Sequence, residues 1–411
     1  MRLLRQADFA RYSLATFLSL IGTWASAVAL ALRMYDDTHS ALWVGAITVA
    51  DIGPMAVLGL FFASRIRRLR PYTTMILADM VRGFIFLAMI FVREPIGVVG
   101  LALIAGIASG LFRPMVLGRL ADIVDETDRD QATGFQGAAE TGGFLGGYAV
   151  AGSLLPIVGT SPMFAINSLS FFASAVLLAG IRRLRAIPGK RDVDVSRSLR
   201  TAIGYVRESR LLLSVFFGWV VAGVGVGLMN ATEVVLARQQ YGASQRETSF
   251  LFALAAFGGI VGALYATRAS RDHPGLVYVS SLIALGLACF ALARQHGVRY
   301  AFLLFAVIGF LNEIAFTRNF QIFNRLPEEK RTHVYAFFLA IMTFVLTGGA
   351  VLGSVIAARV NVAAAFVVAG CFCLLGALGA SFFHVQPESP PDAVGDVTEE
   401  LPAITDNALS S

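Results

Sequence analysis

The chain has 411 residues, of which 56% are apolar and only 15% charged, with a mean hydropathy of +0.70. A soluble globular chain is nearer half apolar and a quarter charged, so no water-facing fold can hide this surface and lipid must solvate much of it. The formal net charge of +6 sits in loops and not on a nucleic-acid face, and three cysteines, all inside apolar stretches, exclude a disulfide framework.

A membrane-spanning helix needs about 20 mostly apolar residues. In chain order, the first such run is Tyr12–Leu32, which is longer than the apolar core of a cleaved secretory signal despite Arg2, Arg5 and the small residues Ala25-Ser26-Ala27. Leu42–Ala63, Thr73–Val92 and Ile96–Gly118 follow, each with one or two embedded charges. The uncharged run Thr141–Ile181 is too long for one span and breaks at Pro156, Gly159 and Pro162. Then come Leu211–Thr232, Thr248–Thr267, Pro274–Ala293, Tyr300–Phe323, Val334–Ala358 and Val360–Phe383. The expectation is an all-α integral membrane protein of twelve transmembrane helices. Strands of a β-barrel would be shorter and would alternate in polarity.

Arginine and lysine concentrate in alternate loops: Arg65, Arg67, Arg68 and Arg70; Arg182 to Arg210; Arg268 and Arg271; Arg325, Lys330 and Arg331. The excess of positive charge marks the cytoplasmic side, which places both termini there. After Phe383 the chain turns acidic and proline-rich, without Lys or Arg, a composition expected to stay disordered.

The chain also compares with itself at an offset near 205. Gly59, Ala63, Arg65, Arg68 and Pro71 align with Gly262, Ala266, Arg268, Arg271 and Pro274, and Thr141-Gly142-Gly143 with Thr347-Gly348-Gly349. An even number of spans separates the copies, so they run parallel, as in transporters built from two six-helix halves. The expected organisation is a six-helix bundle over 1–181, a basic cytoplasmic linker over 182–210, a second bundle over 211–383 and a tail over 384–411.

With these landmarks in place, the chain resembles the major facilitator superfamily, and within it the bacterial siderophore and macrolide efflux exporters. The resemblance rests on Asp8-Phe9-Ala10-Arg11-Tyr12, Gly22-Thr23-Trp24, Ser40-Ala41, Gly53-Pro54, Asp79-Met80-Val81-Arg82, Phe112-Arg113-Pro114 and Leu120-Ala121-Asp122. Two departures stand out. The acid and glycine usual in the loop between spans two and three are Ser64 and Arg67, and the Gly-Pro of span five is Gly147-Tyr148. The resemblance implies a monomeric major facilitator fold in the bacterial inner membrane, moving a small molecule by alternating access.

Charges inside a bilayer are costly and line cavities or pair with one another. Asp79 and Arg82 are three apart and share a helix face; with Arg65, Arg68, Asp122 and Arg268 they form the expected set of structural or gating ion pairs. Asp51 and Glu140 have no basic neighbour one helical turn away. A carboxyl in low dielectric is able to take and release a proton near neutral pH, so these two are the proton-coupling candidates. Trp24, Arg113, Asn230, Glu233, Asn312, Glu313 and Arg318 are the candidates for a mixed aromatic and polar substrate cavity. The small-residue pairs Gly143/Gly147 and Gly349/Gly353 suit close helix packing. A phosphate-binding loop, clustered metal ligands and a nucleophile turn are all missing from the sequence. The expected function is therefore not enzymatic and needs no cofactor: it is proton-antiport export of a drug or secreted metabolite, with import or facilitated passage on the same fold as the alternative.

Overall fold

The computed structural model describes residues 6–62, 65–66, 69–125, 128–181, 195–268, 274–323, 326 and 328–383. Among them the chain folds into thirteen α-helices: α1 (Ala7–Thr38), α2 (Ala41–Phe61), α3 (Pro71–Met89), α4 (Pro95–Ile123), α5 (Arg129–Val158), α6 (Thr160–Ala179), α7 (Val195–Glu208), α8 (Arg210–Val235), α9 (Gln245–Arg268), α10 (Pro274–Arg294), α11 (Val298–Phe323), α12 (Glu328–Arg359) and α13 (Val362–Phe383). Eleven are long and apolar enough to cross a bilayer, and α5 adds a shorter apolar stretch, Gly142–Val158. Its first half carries Arg129, Asp130 and Glu140, which shortens the apolar window without shortening the helix. Twelve spans result.

The remaining helix, α7, falls in the segment read from sequence as a basic linker. It is amphipathic and packs on α12 and α8, with the Lys330 ammonium 5.0 Å from the centre of the Tyr205 ring. The basic residues 182–194, Arg68, Arg271 and the tail 384–411 lie outside the described residues.

The helix packing repeats itself. α1 lies on α5 and α6 as α8 lies on α12 and α13; α3 packs on α6 as α10 packs on α13; α2 pairs with α4 as α9 pairs with α11. These are equivalent helices at the offset found in sequence, so the parallel duplication is a property of the fold. The close crossings coincide too. A methyl on Gly147 would meet Trp24 and the Ile21 backbone of α1, and a methyl on Gly349 would overlap the Val224 carbonyl of α8. Even a terminal cap recurs. Helix ends leave carbonyls without intrahelical donors; Arg33 at the end of α1 donates to the Met89 and Val92 carbonyls that end α3, while Gln240 beyond α8 donates to the Leu292, Ala293 and Gln295 carbonyls that end α10.

Because the chain makes an even number of crossings, both described ends of the chain emerge on one side of the bundle, here called the terminal side. The halves join from mid-bundle to the opposite, far end. α2 meets α12 where Gly53 faces Thr347 and Gly45 faces Ser354; α5 meets α9 where Gly152 faces Ser249 and Ala253. At the far surface α8 runs on as a π-helical turn, Leu236–Gln240. From it Arg238 donates to Asp36 of α1 at 2.6 Å and to the Ala243 carbonyl at 2.7 Å. This is a clasp between halves.

Candidate functional site

Two polar features interrupt the apolar interior, and the sequence reading had kept their members apart. The first is centred on Arg82. Asp79 and Arg82 lie one turn apart on α3, are almost fully buried, and form an ion pair. The Ser174 hydroxyl of α6 donates to the second Asp79 oxygen at 2.6 Å. The guanidinium is held between the rings of Phe112 of α4 and Phe171 of α6, at 4.3 and 4.4 Å from their centres. A cation between two ring faces is attracted by both quadrupoles, and more strongly away from water. Its Nε has no acceptor among the described residues.

Asp51 of α2 lies within charge–charge range of this guanidinium. Its carbonyl sits at the α2/α4 crossing, where a methyl on Gly106 would overlap it. One carboxyl thus pairs with this immobilised cation and a second lies within its field. Fully ionised, the group carries one excess negative charge; one added proton makes it neutral. No local spacing signalled this, because Asp51 and Arg82 lie on different helices.

The second feature is a box of rings where the halves meet. Trp24 of α1 packs edge-on against Phe144 of α5 at 4.7 Å, Phe144 against Tyr148 at 5.0 Å, and Tyr148 against Phe252 of α9 at 5.7 Å. Phe252 continues to Phe305 of α11 at 6.2 Å. Glu233, near the far end of α8, is in charge range of the Tyr148 hydroxyl and has no cationic partner among the described residues. Asn230, one turn earlier on the same helix, is exposed although α8 is the most enclosed of the spans. Glu140, Phe144 and Tyr148 recur every four residues on α5, which puts Glu140 one turn below the box on the same face. That periodicity was available in the sequence; the pairing of Tyr148 with Phe252 across the halves was not.

The other candidates scatter. On α11, Glu313 is buried and accepts from the Thr317 hydroxyl at 3.3 Å. Arg318 turns another way: its Nη1 donates to Gln321 at 2.8 Å, and Gln321 donates on to the Ala266 carbonyl of α9. Within α11 the acid thus takes a hydroxyl and the base an amide oxygen among their partners. Asn312 keeps its side-chain oxygen without a donor among the described residues. Arg113 is half-buried on α4, close to the terminal side. Arg65 and Arg268 are exposed at that surface, with the Arg65 guanidinium 5.6 Å from the Phe62 ring centre. Asp122 lies in the last turn of α4; its side chain and Arg68 are outside the described residues. Arg33, Asp36 and Arg238 were missed as structural partners because each reads as an ordinary loop-flanking charge.

Comparison with known proteins agrees with this architecture. The chain matches the Major Facilitator Superfamily over residues 12–317 and 215–409. It is 23% identical over 369 residues to the uncharacterized MFS-type transporter YfiS of Bacillus subtilis (strain 168), covering 87% of this chain and 88% of that one. Among solved structures, the nucleoside transporter NupG superposes with a TM-score of 0.68 at 14% identity, over 92% of this chain and 98% of that one. A bacterial homologue of the lysosomal transporter Spinster superposes with a TM-score of 0.67 at 13% identity, over 92% and 96%. A duplicated twelve-span bundle with polar groups at its centre, matched along nearly its whole length, identifies the chain as a multi-pass membrane transporter of small molecules that belongs to the Major Facilitator Superfamily.

Proposed function

We propose that this transporter is a proton-coupled exporter of a small organic molecule, with the bundles 1–181 and 211–383 rocking about the cavity between them, both termini cytoplasmic and the chain acting as a monomer in a bacterial inner membrane. The observation that carries the coupling is that Asp51 lies within charge–charge range of an Arg82 already paired with Asp79. Loading one proton on Asp51 neutralises the group and releases its hold on the cation; losing it restores the excess charge. A buried ionisable group able to exist in two pairings is what coupling a gradient to a conformational change requires. Glu140, one turn below the aromatic box, is the second proton candidate. Outward direction follows the family resemblance; import of a metabolite on the same fold remains the second reading, since fold does not set direction.

The test is made on vesicles holding the full chain, with an imposed acid gradient of either sense and a panel of fluorescent dyes. Asp51→Asn is expected to lower gradient-driven flux by about tenfold or more, equivalent to ~1.4 kcal/mol in the coupled step, while dye exchange without a gradient persists. If Glu140→Gln does so instead, coupling moves to α5. Flux indifferent to the gradient in the wild type would remove the antiport claim.

The far-end clasp gives a second expectation. Asp36 and Arg238 are partly exposed, at 30% and 23% of their side-chain surface, so the pair contributes only up to about 1 kcal/mol. In a balanced two-state equilibrium that is still a severalfold change of population. Arg238→Ala is expected to broaden distances between spin labels on the far ends of α1 and α8 toward longer values. Exchanging the two charges, with Asp36→Arg and Arg238→Asp together, is expected to restore the wild-type distribution in part, since Ala243 loses its donor in both.

A further inference from the structure

We propose that the substrate is an organic cation, held with its charge against Glu233 and its apolar body against the rings of Trp24, Phe144, Tyr148 and Phe252. This rests on the transporter reading and adds the chemical class of what is carried.

The argument is one of inventory. A carboxylate at the interface of two helical bundles in a bilayer needs a counter-charge. Glu233 has none among the described residues, and the nearby cations are engaged. Arg238 is bonded to Asp36 and Ala243; Arg33 caps α3 and lies 3.5 Å from Asp37. Arg82 is enclosed by Phe112, Phe171 and Asp79. Such a carboxyl is answered either by a proton, as read for Asp51 and Glu140, or by a positive charge on the ligand, and the rings beside Glu233 favour the second. Rings on three helices of both halves supply the rest. Faces and edges in the 4.7–6.0 Å spacing seen from Trp24 to Tyr148 and on to Phe252 form a wall that attracts a cation and buries an apolar skeleton.

Glu140 lies on the same α5 stripe, so a second carboxyl borders the approach from the terminal side. Asn230 adds an uncharged donor and acceptor one turn from Glu233. An anionic substrate would face two carboxylates with no free arginine among these groups. A small sugar-like substrate would find few hydroxyl partners in a wall whose four rings offer one indole N–H and one phenol. An aromatic or alkyl ammonium, or a lipophilic phosphonium, matches both requirements. Because the box spans the seam between α5 and α9, such a ligand would touch both halves at once, as a substrate must if its binding is to favour one conformation over the other.

The experiment uses the full chain purified in detergent and equilibrium dialysis against labelled tetraphenylphosphonium, with protein-free micelles subtracted. Tetraphenylborate, of nearly the same size and opposite charge, is the comparison. The expected result is saturable binding of the cation and none of the anion. Glu233→Gln is expected to weaken cation binding by about tenfold or more (~1.4 kcal/mol), and Trp24→Leu to weaken it too, with unchanged elution profiles and melting curves showing that both variants fold. Glu233→Asp is expected to retain part of the affinity. Equal binding of cation and anion, or cation binding indifferent to Glu233→Gln, would overturn the proposal. The transporter reading is scored separately by dye flux in vesicles. Flux of neutral dyes in a protein that does not bind the phosphonium would sink the cation assignment and leave transport standing, whereas saturable phosphonium binding without gradient-driven flux would do the reverse.

Discussion

Arg82→Ala is expected to cost about 3 kcal/mol of stability, because it leaves the Asp79 carboxylate buried with only the Ser174 hydroxyl to solvate it. Removing one partner of a buried ion pair typically costs 3–5 kcal/mol. The lower end applies here because helices separated within a bilayer still find other polar partners. Two ring contacts of the guanidinium, with Phe112 and Phe171, are lost as well. Unfolding in sodium dodecyl sulfate, followed by circular dichroism, measures the difference. The informative comparison is the double replacement Asp79→Leu with Arg82→Met. It deletes both charges and refills the space with apolar atoms, and such swaps are often neutral for stability. If Arg82 serves only to hold α3 against α4 and α6, the double variant regains both stability and gradient-driven flux. If Arg82 also answers the charge on Asp51, stability returns and flux does not. Stability that stays low in the double variant, with normal flux in the survivors, would contradict both readings of the ion pair.

The fold was legible in the sequence because its determinants are local. Apolar run length marked the spans, and an internal repeat marked the parallel halves. The one element not foreseen, α7, is too polar to register as a span and too short to dominate a basic linker. The site was only half legible. Asp79–Arg82 obeys helical spacing and was readable; Asp51 within charge range of Arg82 is a relation between helices that no spacing encodes. Glu233 and Trp24 were selected for being polar or bulky in the wrong solvent. Their common neighbour Tyr148 was passed over, because an aromatic residue in a membrane helix looks like packing until the partner helix α9 is seen beside it. On α11, Glu313 and Arg318 are five residues apart and lie far round the helix from one another, and a hydroxyl and an amide oxygen are among their partners.

Adjacent glycines on α12 should give opposite results when each is changed to alanine, and this is the sharpest test of the helix packing. A methyl at Gly349 would overlap the Val224 carbonyl of α8 and lie 3.0 Å from the Leu228 nitrogen. Both obstacles are backbone, so no side chain can rotate away, and the helices must separate along a crossing that Gly227 and Gly353 also keep tight. Overpacking a closed core costs about 1–3 kcal/mol where side chains yield; with backbone on both sides the upper end is expected. Gly348 has open space where a methyl would go, and alanine is favoured over glycine in a helix by about 1 kcal/mol. Gly348→Ala should therefore leave stability unchanged or raise it, while Gly349→Ala should lower the yield of monodisperse protein and its midpoint of unfolding. The equivalent residue of the first half, Gly143, meets the Leu20 side chain of α1 at 2.7 Å and not backbone. That nearest atom is the Leu20 Cβ, which no rotamer change moves, so α1 must give way there too; the overlap is smaller than the 2.2 Å approach to the Val224 carbonyl, so Gly143→Ala should be somewhat milder than Gly349→Ala although the two positions correspond in the repeat. Equal damage at Gly348 and Gly349 would mean that α12 presents a different face to α8. Equal damage at Gly143 and Gly349 would mean that the two crossings are as tight as each other, and that the looser first half described here is wrong.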